Sequence, residues 1–485
     1  MTVSLTTLAV SFTLIIVTAA AYDHSVRIRR MRGSKPPPGP LGLPLLGNMF
    51  DFPTGDVWYA YQAMSQKYES TIIQLSALGT TVVVLHDLQS ARDLMEKRSS
   101  LYSDRMGSNN IVFLPYGDLW RASRRVIHQE FKPLATQQYN PSQTKATRDL
   151  LHRLLESPDR WLEHLKHLTA GLTLDIIYGI DIAPSNDPYI AIVETAVEGN
   201  TSAAKPGAFL VDTIPWLKYV PSWVPGADFQ VKAKIWKEAT CRAVDDTYNT
   251  CKKALAEGSN RSSFCSRHLA RLSSSRDNNI EEFIIKESAT AVYVEIQAKA
   301  QAEIDHVTGQ GRLPVFGEES SFPYLMAILK ECLRWRVVGP IGIPHRLIAD
   351  DHYNGYFLPA GSIIIANSWA ILHDENTYPD PDSFKPERFM KDEKLDLNVQ
   401  DPALAAFGYG RRNCPGREMA LDTVWITLAS ILSAFNISKA LDGNGLPITP
   451  SGRYISSIVS HVEPFQCAIT PRSDLMKDLI LATAD

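Results

Sequence analysis

Nothing in this 485-residue chain is strongly one-sided, and each shortage excludes something. Acidic and basic residues nearly cancel, 53 against 49, leaving a formal net charge of −4. Such a balance provides no whole-protein field for nucleic acid. Cysteine is sparse: Cys241, Cys251, Cys265, Cys332, Cys414 and Cys467 are scattered, with no C-x-x-C pair. That argues against a zinc site or a disulfide framework and fits a reducing compartment. There is no internal repeat, and the one low-complexity stretch is a short proline cluster. With 45% hydrophobic residues the chain can bury a large core, and its length alone allows two or three domains.

Charge is absent altogether from residues 1-22, which run apolar from Val3-Ser4-Leu5 to Ala19-Ala20-Ala21. About 20 helical residues span roughly 30 Å, the thickness of a bilayer core, so 1-22 are expected as a transmembrane anchor. Arg27, Arg29, Arg30, Arg32 and Lys35 all follow it, and the positive-inside rule places the remainder in the cytosol. A cleaved signal peptide is the rival, because Ala19-Ala20-Ala21 imitates an A-x-A site, but its positive charge would precede the apolar run. Lys35-Pro36-Pro37-Pro38-Gly39-Pro40 and Leu41-Gly42-Leu43-Pro44 are too proline-rich for a helix or central strand. Residues 23-48 therefore read as a basic, proline-rich linker, a stiff extended spacer.

Further on, a helix is expected from Val57 to Tyr68, then a strand pair turning at Ala77-Leu78-Gly79, with Thr80-Thr81-Val82-Val83-Val84 the clearest strand. A helix over Leu119 to Phe131 puts Trp120 and Arg124 at i, i+4 on one face. Alone, W-x-x-x-R also describes a surface cation–π pair. Gln143 to about Glu257 is mostly helical, broken at Phe209 to Pro225 by an apolar stretch with Trp216 and Trp223. Core packing and the bilayer surface are both open to it. Ser259 to Asn279 reads as a solvent loop, and Asp305 to Ser320 as another. The helix Pro323 to Trp335 carries Glu331 and Arg334 at i, i+3, ordinarily a solvated pair of little weight. Gly355 to Pro359 and Ile363 to Ile365 are expected as strands of one small sheet. Ala420 to Phe435, apolar nearly all round, is expected as a buried helix. Tyr454 to Ser460 and Phe465 to Ile469 read as a closing hairpin.

The chain is organised around Phe407-Gly408-Tyr409-Gly410-Arg411-Arg412-Asn413-Cys414-Pro415-Gly416. One cysteine lies in a glycine-rich loop just ahead of a long apolar helix. Glycine lets backbone approach a bulky planar object closely. Inward N–H groups and the positive end of a helix stabilise a thiolate. A lone cysteine is more often a small buried hydrophobe. Here the spacing F-x-x-G-x-R-x-C-x-G, with W-x-x-x-R, E-x-x-R and Pro386-Glu387-Arg388-Phe389 in order, resembles the cytochrome P450 family. The resemblance covers nearly the whole chain and is closest to microsomal fungal members of the O-methylsterigmatocystin oxidoreductase-like type.

That resemblance implies a mainly α fold with small β-sheets, the cytochrome P450 fold, behind the transmembrane helix. Residues 49-485 would then be a single haem-thiolate monooxygenase domain. Haem b is the implied cofactor, with Cys414 as axial iron ligand, its thiolate promoting O–O cleavage. Trp120, Arg124, His345 and Arg412 would meet the propionates, with Arg125 in support. Phe407 would wall the sulfur side from water, and Gly416 closes the same cofactor loop. Glu331, Arg334 and Arg388 would form a structural cluster holding the segment that leads to Cys414. Val337 to Ile343 and Ser456-Ser457-Ile458 would border an apolar small-molecule substrate. The implied partners are an NADPH-dependent reductase and the endoplasmic reticulum membrane, with the catalytic domain cytosolic and no nucleic acid.

One family part is missing. Members carry a long helix over the distal haem face with an A-G-x-(D/E)-T-T pattern. Its lead-in stands here as Lys286-Glu287-Ser288-Ala289-Thr290-Ala291-Val292-Tyr293-Val294, but Glu295 to Asp305 resemble the start of the following helix. By resemblance some two dozen residues are absent between them. Glu281 to Val294 reaches only about 21 Å as a helix, too short to cross a haem and return. Glu287 and Thr290, at i, i+3, are the remaining candidates for an acid–alcohol pair. Three readings stay open: an active monooxygenase, a haem-binding but catalytically impaired splice or gene-model variant, and a membrane-tethered non-catalytic protein.

Overall fold

A computed structural model supplies the architecture. It describes residues 29–271 and 298–483, together with Thr18 and Ser25, except at 44–45, 54, 78, 106, 108–110, 184–186, 204–208, 210, 212–214, 225–226, 259–260, 310, 447, 449–453 and 456–459. The expected span 1-22 (apart from Thr18), the distal segment with Glu287 and Thr290, and Ser456-Ser457-Ile458 thus lie outside the described residues. Among the described residues, no helix is long and apolar enough to cross a membrane.

The architecture is mainly helical with small sheets. Helix α1 (Val57–Lys67) leads into β1 (Ile72–Ala77) and β2 (Thr80–Leu85). The β-branched run in β2 is stiff at χ1 and packs well on a pleated surface, which favours the extended chain. Gly79, at φ +86, supplies the left-handed residue of the tight turn. β2 also pairs in parallel with β6 (Ile363–Ala366), and β6 pairs antiparallel with β3 (His345–Arg346). The result is a four-stranded sheet ordered β1-β2-β6-β3. Val83, Val84, Leu85 and Ile364 in it are 0% exposed, each burial contributing about 1.5–3 kcal/mol.

β4 (Asp351–Tyr353) and β5 (Tyr356–Leu358) form a hairpin of their own. Gly355 to Pro359 and Ile363 to Ile365 therefore do not share a sheet as expected. Asn354 and Gly355, both at positive φ, fold β5 straight back on β4 and leave Ile363 to Ala366 free for β2. The proline-rich stretch also has partners. Pro38 accepts from the Gln74 N–H at 2.9 Å, and Lys35 accepts from the Phe357 N–H at 2.8 Å. A Cβ on Gly39 would stand 2.0 Å from the Gln74 oxygen. From Lys35 to Gly39 the segment lies against the domain and does not stand off as a spacer.

The helical part comprises α2 (Asp118–Phe131), α3 (Asn140–Glu156), α4 (Trp161–Tyr178), α5 (Pro188–Ala203) and α6 (Phe229–Ala256). The reading of Ser259 to Asn279 as a solvent loop is corrected at its centre: Phe264–Arg271 is a helix, α7, with Phe264 and Cys265 fully buried, while 272–279 lie outside the described residues. Its start is a reciprocal cap, hidden in a serine-rich run. The Ser263 N–H donates to Ser266 Oγ at 2.7 Å and the Ser266 N–H to Ser263 Oγ at 3.0 Å. The loop expected from Asp305 also begins later. α8 (Ala298–Thr308) runs past Asp305, whose carboxylate is held by Arg472, and Gly309 at φ +63 ends it.

α9 (Pro323–Trp335) opens on a proline, where the missing N–H costs nothing. After α10 (Ser368–Leu372) and the short pair β7 (Met390–Lys391) and β8 (Lys394–Leu395) comes α11 (Arg417–Ala434). Every residue of α11 from Trp425 to Ala434 is buried, as an all-round apolar helix must be. The tail does turn back in a hairpin that starts at Tyr454, but Phe465 to Ile469 is not its second strand. β9 (Phe435–Lys439) pairs with β12 (Cys467–Pro471), while β10 (Tyr454–Ile455) pairs with β11 (His461–Val462). Because α11 runs directly into β9, that strand takes the tail as its long-range partner. Helix α12 (Asp474–Leu481) follows.

Candidate functional site

The loop between Phe407 and Gly416 is closed by the Cys414 N–H, which donates to the Phe407 oxygen at 2.7 Å. Gly408 and Gly410 take positive φ, +76 and +57, and make the turn that presents Cys414. Gly416 is different: its φ is −86, and a Cβ there would meet nothing within 4 Å. Neither backbone nor neighbours demand glycine there, so the open space beside it is what a side chain would intrude upon. The Cys414 side chain is exposed. Surrounding protein pushes its thiol upward, while the Gly416 N–H and the Arg124 guanidinium pull it down.

Helix α2 reaches this loop directly. Arg124 donates to the Asn413 backbone oxygen at 2.6 Å and to its side-chain oxygen. One turn earlier the buried Trp120 carries the Arg412 guanidinium 4.2 Å from its ring centroid. Arg412 in turn donates to the Ser103 and Leu114 oxygens, both at 2.8 Å. Arg125, expected in support, is exposed.

From the other side come His345 and Arg105. The His345 Nδ1 is 2.6 Å from the Tyr102 oxygen, and because a carbonyl only accepts, Nδ1 carries the hydrogen. Burial holds His345 well below the usual imidazole range, and Arg105 and Arg412 add to that. Arg105 is buried and donates to the Ile343 and Pro344 oxygens, while its Nε has no partner among the described residues. Burial lowers Arg105 to about 9, with Arg412 contributing, and lowers Arg412 to about 10.

Two guanidiniums and an imidazole thus converge with one nearby carboxylate, Asp104, which already accepts from the Tyr116 N–H. Such a donor set is short of anion, and a dianionic group would supply what burial has removed. These residues fit haem on two counts: propionates would satisfy the cations, and Gly416 adds no side-chain bulk beside Cys414. Sequence reasoning does not single out Arg105. An isolated arginine has no spacing signal, and only the fold brings it to Arg412.

Behind the loop lies a second set. Glu331 and Arg334 of α9 are both 0% exposed, and Arg388 is 8% exposed. Arg334 donates to both Glu331 oxygens at 2.7 and 2.9 Å, and Arg388 Nε lies 3.1 Å from each. Glu331 also accepts from the Lys385 N–H at 2.7 Å. The remaining guanidinium hydrogens go to the carbonyls of Leu372, Ser383, Pro379 and Asp380. Every charge here is paired and hydrogen-bonded, the condition under which buried ions are tolerated. Phe407, half-buried, lines a hollow of about 500 Å³ on the outer side of the loop, with Glu96, Ser99, Leu404, Arg411 and Arg417.

Comparison with known proteins names the class. The family model described as Cytochrome P450 matches residues 37–294 and 289–467. Tryptamine 4-monooxygenase of Psilocybe cyanescens is 41% identical, over 95% of this chain and 97% of its own. Cytochrome P450 monooxygenase 98 of Postia placenta is 39% identical, over 97% of each chain. A cytochrome P450 monooxygenase of Armillaria gallica is 38% identical, over 94% and 95%. The chain belongs to the cytochrome P450 family. It is a P450-type enzyme with the mainly helical P450 fold, and the family's cofactor is haem on a cysteine thiolate.

Proposed function

We propose that the chain is a haem-thiolate monooxygenase acting on an apolar small molecule, and that Cys414 is its iron ligand. The observation that carries this reading is the anion-deficient set of buried Arg105 and His345 with half-buried Arg412 beside the Cys414 loop. Haem bound there supplies the redox chemistry, one atom of dioxygen entering substrate and the other leaving as water, with two electrons from a reductase. Arg105, Arg412, Arg124, Trp120 and His345 hold the propionates. The Gly416 N–H steadies the sulfur as thiolate, and Phe407 screens it. Glu331, Arg334 and Arg388 keep the approach to the loop rigid, and Val337 to Ile343 border the substrate. The exposed arginines Arg121, Arg125 and Arg411 near the loop suit an acidic face on an NADPH-dependent reductase. Residues 1-22 anchor the protein in the endoplasmic reticulum membrane, where the exposed Tyr219 and Trp223 meet the bilayer surface.

The distal segment, short by resemblance, favours a second reading, a haem-binding chain that handles oxygen poorly. Two findings support it. The family match breaks into two pieces that meet at 289–294, where the segment is short by resemblance. The alignment to the Psilocybe relative runs 495 positions against 95% of 485 residues, so that relative has residues with no counterpart here.

The reduced carbon monoxide spectrum of the purified chain tests the ligand. A thiolate-type band should appear, survive alanine at each of the other five cysteines, and vanish in Cys414→Ala. Its persistence in Cys414→Ala would end the assignment. Membrane flotation tests the anchor, with a chain lacking residues 1–28 expected to lose most of its binding.

A further inference from the structure

The segment Val337 to Ile343 leaves α9 through Arg336. Among the described residues its guanidinium has no carboxylate partner. Nη1 donates to the Trp335 oxygen at 3.3 Å, and the buried Nε has no partner. Aromatic rings surround it: Trp335 at 4.3 Å, Trp369 at 5.3 Å and Tyr454 at 5.3 Å from the ring centroids. The rings come from three elements, α9, α10 and β10.

The rings of α9 and α10 are fixed from behind. Trp335 Nε1 donates to the Asp382 oxygen at 2.7 Å, and its ring stands edge-on to Phe384. Trp369 stacks on His373 at 3.5 Å, and burial keeps that imidazole neutral, its pKa down to about 3. The same three pieces are also joined through backbone. The Ser460 N–H, just before β11, donates to the Val338 oxygen at 2.8 Å, and the Trp369 N–H of α10 donates to the Pro340 oxygen at 2.8 Å. The segment 337–343 is therefore suspended between the β10–β11 hairpin and α10, with Arg336 at the common joint.

We propose that Arg336 is a positioning residue. By binding the rings of Trp369 and Tyr454 at once, it sets the spacing between the β10–β11 hairpin and the segment Val337 to Ile343, and so the bulk of ligand that fits beside the haem. A planar, weakly hydrated guanidinium lies against several rings together, which a lysine ammonium on a flexible stem does not. The proposal rests on the reading of 337–343 as substrate-bordering.

The test uses the full-length haem-loaded chain and follows the Soret shift on titrating imidazole and 4-phenylimidazole. Arg336→Lys, Arg336→Met and Tyr454→Leu should each change the affinity for 4-phenylimidazole relative to imidazole about five-fold or more, at unchanged haem content. Tyr454→Phe, which keeps the ring, should behave as the parent chain, and Arg336→Lys with Tyr454→Leu should add little to either alone. Unchanged affinity ratios in all the variants, or parallel losses for both ligands, would overturn the proposal. Ile343→Phe is the control for the underlying reading. If it too leaves the ratio untouched, or if the parent chain binds no haem, that reading fails and the proposal with it.

Discussion

A Cβ on Gly410 would lie 2.1 Å from the carbonyl oxygen of Met95, so the cysteine loop and a distant turn meet with no space for a methyl group. The turn is a wide one, Asp93–Lys97, and Gly410 is also left-handed at φ +57. Gly410→Ala meets both obstacles, a conformational cost of about 1–2 kcal/mol and a clash with backbone that cannot rotate away. We expect it to lower the melting temperature by at least about 1–2 °C and to release haem. A variant that melts and binds haem like the parent would mean that the loop adjusts without cost.

Glu331→Gln leaves two buried guanidiniums without their carboxylate, and Arg334→Ala strips Glu331 of one of its two cations. Losses of about 3–5 kcal/mol are expected, against about 0–1 kcal/mol for an exposed pair. Urea unfolding of the haem-loaded protein measures both. Losses below about 1 kcal/mol would make the cluster no stronger than a solvated pair.

Arg105→Met keeps much of the volume and removes the charge. Because the cations at this site outnumber their one nearby carboxylate, Asp104, relieving them should tighten the fold without haem and loosen haem binding. Melting temperature of the haem-free chain and the rate of haem transfer to apomyoglobin are the two readouts. A slower transfer, or none changed, would separate Arg105 from the cofactor.

Acid should destabilise the fold. His86 and His373 are held neutral by burial, at about 4 and about 3, whereas an unfolded histidine takes its proton below about 6.5. As pH falls from 6.5 toward 4 the unfolded chain binds those protons and the folded chain does not. Stability is therefore lost, by up to about 1.4 kcal/mol per pH unit for each group. Asp422, raised by burial to about 6, works the other way in part, staying protonated in the fold while ionised when unfolded. Denaturant melts between pH 7 and 4 give the slope, and His373→Gln should flatten it by about one proton. An unchanged slope would place the titration elsewhere.

Restoring a family-like segment of some two dozen residues between Val294 and Glu295 should raise product formed per NADPH consumed. Proton assistance by a positioned hydroxyl and acid is worth about 10²–10⁴ in rate. Efficient coupling by the unrestored chain, across a panel of apolar substrates, would turn attention to Glu287 and Thr290.

Local chemistry made much of the chain legible in advance. Pro323 starts α9 where expected, the β-branched run is β2, and Trp120 and Arg124 share a face of α2 because i and i+4 must. Misreadings came where a local signal had two meanings. Serines at 263 and 266 read as loop because capping and looping use the same residue types, and the caps need Phe264 buried to be worth forming.

What the sequence determined by itself was the family, through short motifs whose spacing is set by one helical turn or one tight loop. Only tertiary structure decided that Arg105 faces Arg412, that Gly410 abuts Met95, and that β9 pairs with β12 and not with its near neighbour. Those relations join residues far apart in the chain. Their energies come from desolvation and close contact, which appear only once the intervening segments have folded and excluded water.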